Sequence, residues 1–380
     1  MSEATLSDRG RAMAQTSLKA RLQPLLSNIY HPKDNSKGIV DMGTAENVRQ
    51  HSLYSSLTSP NQYPQHVMTK DVSSFANTKI RTSPHDFTYG EGPWGSKRLR
   101  TAMAIHMNKY FHPFAAIHPD DLVFANGITS LCELFGYAIG SPNDGILISR
   151  PSYQAFPADF GAKAGLKCVF VSFGNVDQFS PAAIENYEST LLEARDQGIS
   201  IKALLLCNPH NPLGRCYPLE TIKAVMQLCK KYSLHLFADE VYALSVFSSG
   251  VQFSSVLSFD SSSYISPDYL HVVYGMSKDF AAGGLRLGCL YSRNTALMEA
   301  VSAVSQFSWS GPLTQLFAAE MLEDDEWKSG FLERSRGVLK ERYEKCTGVL
   351  NEYGIEYAGG TNAGFFLWVG RASFFLPDMA

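Results

Sequence analysis

Short, continuous apolar runs recur through the middle of the chain, each followed by a polar break and then by a stretch with helical spacing. Seven of these runs read as strands: 122–125, 145–149, 167–172, 201–206, 234–238, 270–274 and 287–291. Apolar positions three and four apart predict helices over 97–110, 129–139, 181–197 and 219–232. A strand that is apolar at nearly every position has both faces covered. Strands of that kind alternating with helices predict an α/β fold, with a mostly parallel seven-stranded sheet between helices.

The pattern changes at both ends. Residues 1–60 are polar and irregular, with the apolar anchors Leu25, Leu26 and Ile29, and read as an N-terminal arm and the start of a minor domain. Residues 61–294 form the large domain. From 295 the chain turns helical, at 295–307, 315–323 and 333–353, and then offers one more strand at 364–369. That composition predicts a smaller α+β domain over 295–380, incomplete at its C-terminal end.

Composition narrows the function classes. The 380 residues are 45% hydrophobic and 18% charged, which suits a globular protein with a sizeable core. A net charge of −3 advertises neither nucleic acid nor an anionic membrane as a partner. Seven scattered cysteines and no Asn-x-Ser/Thr acceptor fit a reducing compartment. No apolar run approaches membrane-spanning length. Arg9, Arg11, Lys19 and Arg21 give the N-terminus a trace of transit-peptide character, but Glu3 and Asp8 oppose it, so a cytoplasmic protein is expected.

One motif is a decoy. Gly-Glu-Gly-Pro-Trp-Gly at 90–95 matches G-x-G-x-x-G, yet no apolar strand precedes it and Pro93 sits inside it. A turn leading into helix 97–110 is the expectation. Cys207 and His210 are too isolated for a zinc site, and buried structural roles are expected of them.

The informative residues lie where strands end, the edge at which such sheets bind ligands. After strand 122–125, the turn at 128–131 opens a helix. Its free N–H groups and the Thr129 and Ser130 hydroxyls suit a phosphate, although plain N-capping explains them equally well. Tyr153 follows the next strand and could cover a flat ring or simply pack. Asn211 lies in the stiff turn Asn-Pro-His-Asn-Pro-Leu-Gly at 208–214, where it could donate to a ligand oxygen or only shape the turn. Asp239 closes an apolar strand, where an acid needs a cationic partner unless it is a cap or a solvated loop acid. Tyr242 is three residues on. Lys278 follows strand 270–274, and Arg286 comes eight residues later.

Singly each signal is weak. Together they assemble what pyridoxal phosphate requires. Lys278 would form a Schiff base, and Asp239 would keep the pyridine nitrogen protonated. Asn211 and Tyr242 would bind the ring oxygen, and Tyr153 would stack on the ring. Arg286, Ser277 and the turn through Thr129, Ser130 and Leu131 would hold the phosphate. Gly283 and Gly284 would let the lysine loop pass close by.

These motifs resemble the fold-type I pyridoxal-phosphate enzymes of the class I/II aminotransferase family over roughly 39–370. The matching elements are Asn211-Pro-x-Gly, Asp239 with Tyr242, Ser277-Lys278 and Arg286. Within that family the chain is most similar to the 1-aminocyclopropane-1-carboxylate synthase-like branch. The similarity lies in Gly-Ile-Val-Asp-Met-Gly-Thr-Ala-Glu-Asn at 38–47, Ser-Lys-Asp at 277–279, Thr314-Gln315 and Asn-Ala-Gly-Phe-Phe-Leu-Trp at 362–368. The resemblance implies that Ala45 and Glu46 lie near the substrate. It also implies that Tyr89 reaches a neighbouring subunit's phosphate, hence a homodimer with a shared active site.

There are departures. Gly275 stands where the family often has a phosphate-binding serine. The helix-opening turn reads Thr-Ser-Leu-Cys-Glu. The family's arginine for the substrate α-carboxylate has no counterpart before Ala380, since Arg371 lies too close to the last strand. The resemblance implies an enzyme acting on an amino acid through an external aldimine and α-proton abstraction. A synthase-like γ-elimination from S-adenosylmethionine with ring closure is the first reading. An aminotransferase or a C–S lyase or γ-replacement enzyme is the second, and a catalytically weak binding protein on the same fold is the third.

Overall fold

The structure is a computed structural model, and it describes residues 27, 28, 30, 35–39 and 66–370. The chain forms two compact units, Met1–Asp71 and Val72–Ala380. In the first, the Tyr30 N–H donates to the Ile39 carbonyl at 2.9 Å and the Ile39 N–H to that of Asn28 at 2.6 Å, closing a short loop.

The second unit is built on seven strands: β1 (Leu122–Ala125), β2 (Gly145–Ser149), β3 (Lys167–Val171), β4 (Ile201–Cys207), β5 (His235–Asp239), β6 (Leu270–Gly275) and β7 (Gly288–Ser292). Their spatial order is β1-β7-β6-β5-β4-β2-β3. Only β7 runs against its neighbours, and the pairs β2–β3, β2–β4, β4–β5 and β5–β6 are parallel. The mostly parallel, doubly covered sheet expected from the apolar runs is therefore present.

The helices are α1 (His66–Lys79), α2 (Lys97–Tyr110), α3 (Ile128–Ile139), α4 (Phe156–Gly161), α5 (Ile184–Asp196), α6 (Leu219–Tyr232), α7 (Thr295–Ser305), α8 (Pro312–Glu323) and α9 (Asp325–Glu352). Leu131, Phe135, Phe160 and Val301 from α3, α4 and α7 pack on Ile148, Leu205, Phe237, Val273 and Leu290 of the sheet. Each such side chain contributes about 1.5–3 kcal/mol by leaving water. Side chains of α2 supply a further buried layer with Leu99, Met103 and Met107. Helix starts follow capping chemistry: the Ser96, Asn294 and Asp324 side chains accept from the backbone N–H three residues on.

The segment at 90–95 is a turn into α2, as expected, with positive φ at Gly90, Gly92 and Gly95. One expectation is overturned. Residues 364–369 form no strand. Gly364 has φ +71, outside extended backbone, and its N–H goes to the Ser245 hydroxyl at 2.9 Å. What remains is a single antiparallel bridge between Tyr357 and Val369.

Candidate active site

The strand order lines up the chemistry-bearing residues along one edge. The parallel strands end there, and antiparallel β7 begins there. Across the sheet stand the Asn126–Ser130 turn after β1, Arg286 before β7, Lys278 after β6, Asp239 at the end of β5, Asn211 after β4 and Tyr153 after β2. Neighbouring strands are about 4.8 Å apart, so groups far apart in sequence become neighbours across a few ångströms.

A candidate anion cradle is formed by backbone packed closely around glycine. Gly127, with φ +87, precedes α3, whose first-turn N–H groups have no intrahelical acceptor. A Cβ on Gly127 would lie 2.8 Å from Arg286 Nη2. A Cβ on Gly288 would lie 3.0 Å from Gly127 C and from Ile128 N. The Arg286 guanidinium thus sits against the positive end of a helix, an arrangement that an anion between them stabilises. Arg286 itself adopts left-handed backbone, φ +50, and its Nη1 donates to the Gly283 carbonyl at 3.1 Å. Thr129 is exposed and Ser130 half-buried at this helix start. The Ser130 hydroxyl donates to the Asn126 carbonyl at 3.2 Å. Leu131 points elsewhere: its side chain is fully buried in the core, and its N–H donates to the Gly127 carbonyl at 3.3 Å.

Asp239 is buried, 6% exposed, and accepts the Val241 N–H at 3.2 Å. Burial pushes its carboxyl up to about 6, while the Val241 N–H and the Lys278 charge pull it down. A cationic ring N–H is the partner such a carboxylate fits. Its neighbour Glu240 fastens the following loop, accepting from the Ser255 hydroxyl at 2.6 Å and the Val256 N–H at 2.8 Å.

Lys278 is half-buried, with Nζ 5.9 Å from the centroid of the Phe365 ring. Phe365 and Phe366 meet the Tyr242 ring edge-to-face at 5.4 and 5.0 Å. Tyr242 is buried, which drives its phenol well above the ordinary range. Ser277 is half-buried beside the lysine. Tyr153 is partly exposed and meets Phe156 edge-to-face at 5.3 Å. Burial raises its phenol, the charges of Asp159 and Asp239 raise it further, and Arg286 opposes them. Asn211 is half-buried in the turn that carries His210, whose Nε2 lies 3.0 Å from the Ser149 hydroxyl. Cys207 is buried, as expected. Among the described residues no group of three or more histidines, cysteines and acids could hold a metal.

Tyr89 is 84% exposed, its ring 5.8 Å from that of Trp309. Ala45 and Glu46 lie outside the described residues. Gly283 and Gly284 have φ outside the left-handed region, and a Cβ on Gly284 would meet no atom within 4 Å. The close approaches expected of that pair occur instead at Gly127, Gly275 and Gly288.

Asp159 carried no signal in the sequence, and neither did the contacts of Phe365 and Asp279, although both stand within family-like segments. Asp159 on α4 is held near 6 by burial against the pull of Arg286. Phe365 reaches Lys278 only through the fold of the C-terminal segment. Asp279 is buried directly beside the lysine. The donors at the helix start, the buried acid and the lysine together fit pyridoxal phosphate.

The model of the family described as aminotransferase class I and II matches residues 59–373. The chain is 32% identical to 1-aminocyclopropane-1-carboxylate synthase 2 of Oryza sativa subsp. japonica over 348 residues, 90% of this chain and 69% of that protein. It is 30% identical to 1-aminocyclopropane-1-carboxylate synthase 7 of Arabidopsis thaliana over 347 residues, 90% of this chain and 74% of that protein. Among solved structures, a double mutant of Thermus thermophilus aspartate aminotransferase superposes with a TM-score of 0.70 at 20% identity. That match covers 97% of this chain and 86% of the other.

Proposed function

The chain belongs to the aminotransferase class I and II family, whose members depend on pyridoxal phosphate, and from that premise we propose that it carries out a 1-aminocyclopropane-1-carboxylate synthase-like reaction on S-adenosylmethionine. The observation that carries the substrate is the likeness to the rice and Arabidopsis synthases over nine-tenths of the chain. The early chemistry rests on the order of groups along the carboxyl edge of the sheet.

The bound cofactor supplies an electron sink for negative charge developing at the substrate Cα. Lys278 would hold it covalently, and its amine would serve as the base for the proton on that carbon. Asp239, kept dry by burial, holds a proton on the ring nitrogen. Asn211 and Tyr242 bind the ring oxygen, and Tyr153 covers the ring. Arg286, Ser277 and the Thr129–Ser130 helix start bind the phosphate. Tyr89 projects to a second copy of the chain, making a homodimer with shared sites, and the enzyme works in the cytoplasm.

Incubating the cofactor-loaded chain with S-adenosylmethionine tests this reading. Release of methylthioadenosine with formation of a cyclopropane amino acid is expected. Amine transfer to a keto acid without methylthioadenosine would overturn it in favour of an aminotransferase. A loaded protein that turns over no amino acid would favour a binding protein.

A further inference from the structure

One carboxylate oxygen ties together the two loops that carry Tyr242 and Lys278. Asp279 follows the lysine directly and is 3% exposed. Its Oδ2 accepts the Leu244 N–H at 2.9 Å and the Tyr274 hydroxyl at 3.0 Å. Its Oδ1 is buried with no hydrogen-bond partner. Leu244 lies two residues beyond Tyr242, and the same loop is knotted by the Ser245 N–H and hydroxyl on the Tyr242 carbonyl, at 3.0 and 2.6 Å. On the lysine side, the Ala281 N–H closes a turn on the Lys278 carbonyl at 3.1 Å, with Ala281 in left-handed backbone.

The donor from β6 is itself oriented. His106 of α2, fully buried, stacks on Tyr274 at 5.7 Å and places Nε2 3.4 Å from the tyrosine oxygen. Burial drives the His106 imidazolium down to about 3, so the ring is neutral. A neutral imidazole that donates from Nε2 makes the tyrosine oxygen an acceptor there and leaves its own hydrogen for Asp279. Arg336 of α9 is the charged group whose field favours the ionised carboxylate.

We propose that Asp279 is a positioning residue: by accepting from both Leu244 and Tyr274 it fixes the separation of Tyr242 from Lys278, and so the basicity of the lysine link to the cofactor. This rests on the cofactor reading above. Without this oxygen the buried Leu244 N–H and Tyr274 hydroxyl would be left unmade, which costs more than the net value of the bonds, so the tie constrains both loops.

The test uses the full chain with Asp279→Asn, Asp279→Leu and Tyr274→Phe. Two quantities are read: the pH midpoint of the violet absorbance band that a Lys278–cofactor Schiff base gives the loaded protein, and amide hydrogen exchange at Leu244 in the cofactor-free protein. Asparagine retains an acceptor oxygen for both donors and should keep the midpoint and the protection. Leucine should shift the midpoint by ~1 pH unit, the size of a lost hydrogen bond, and speed Leu244 exchange tenfold or more. Tyr274→Phe, which spares the carboxylate, should shift the midpoint by less and leave Leu244 protected. Unchanged midpoint and exchange in a folded Asp279→Leu would overturn the proposal, and so would an asparagine variant that behaves like leucine. If Asp279→Leu does not fold, Tyr274→Phe decides: no shift of the midpoint overturns it. A wild-type chain without the violet band sinks the cofactor reading instead, and Leu244 exchange then decides whether the tie exists.

Discussion

Gly275 and Leu287 stand so close that a Cβ on residue 275 would lie 2.6 Å from the Leu287 carbonyl oxygen. Gly275 also pairs with Gly288 across β6 and β7, and a Cβ on Gly288 would in turn meet the start of α3. The missing hydroxyl at 275 is therefore the consequence of three backbones converging at the start of α3. Gly275→Ser should destabilise the protein by about 1–3 kcal/mol, the usual cost of overpacking, and should weaken cofactor binding, because β7 carries Arg286 away with it. Thermal unfolding and a cofactor titration check this. A serine variant of unchanged stability would contradict it.

Thr129 and Leu131 belong to one helix start but face different surroundings. Leu131→Ala should lower stability by about 2–5 kcal/mol through a core cavity while leaving cofactor affinity near wild type. Thr129→Val should do the reverse, costing about tenfold in affinity and little stability. Urea unfolding and equilibrium binding on both variants separate the two effects. A large affinity loss in a stably folded Leu131→Ala would reverse the assignment.

Arg286→Gln should weaken pyridoxal phosphate binding by about 10–100-fold, since it removes a charge-assisted donor next to a helix N-terminus. Pyridoxal without its phosphate should bind the wild type and the variant equally. Equal losses for both ligands would place Arg286 elsewhere in the site.

Buried acids and histidines set opposite pH slopes. Burial holds the proton of Glu240 up to about 8 and that of Asp279 up to about 7, whereas the unfolded chain releases them near 4.5 and 3.8. Their contribution to stability is full below the unfolded values and is lost as pH rises through the folded ones. His106 and His210 are driven down to about 3 by burial, so their contribution is present above 6.5 and lost as pH falls. From pH 6.5 to 8 only the acids act, and the urea midpoint of the cofactor-free chain should fall across that window. Glu240→Gln should flatten the fall. A midpoint that rises with pH there would contradict the account.

The sheet was legible in the sequence because its strands are covered on both faces, so each reads as an unbroken apolar run; all seven lie within a residue or two of their expected bounds. The site residues at strand ends were legible for the same reason, since their position follows from where each run stops. Helix α4 was not, because six residues beginning Phe156-Pro157 carry no period. The 364–369 run is apolar for another cause: Phe365 and Phe366 pack on Tyr242 rather than in a sheet. The tie made by Asp279 was not legible, because nothing local marks the partners, Leu244 and Tyr274, of an acid when they come from other elements.

The central claim is that Lys278 is the covalent anchor of pyridoxal phosphate. The most direct measurement is to load the full chain, reduce the violet species with borohydride and map the modified peptide by mass spectrometry. The account predicts a single phosphopyridoxyl group on Lys278, and no violet band in Lys278→Ala. A modification on another lysine, or a violet band that survives Lys278→Ala, would contradict it.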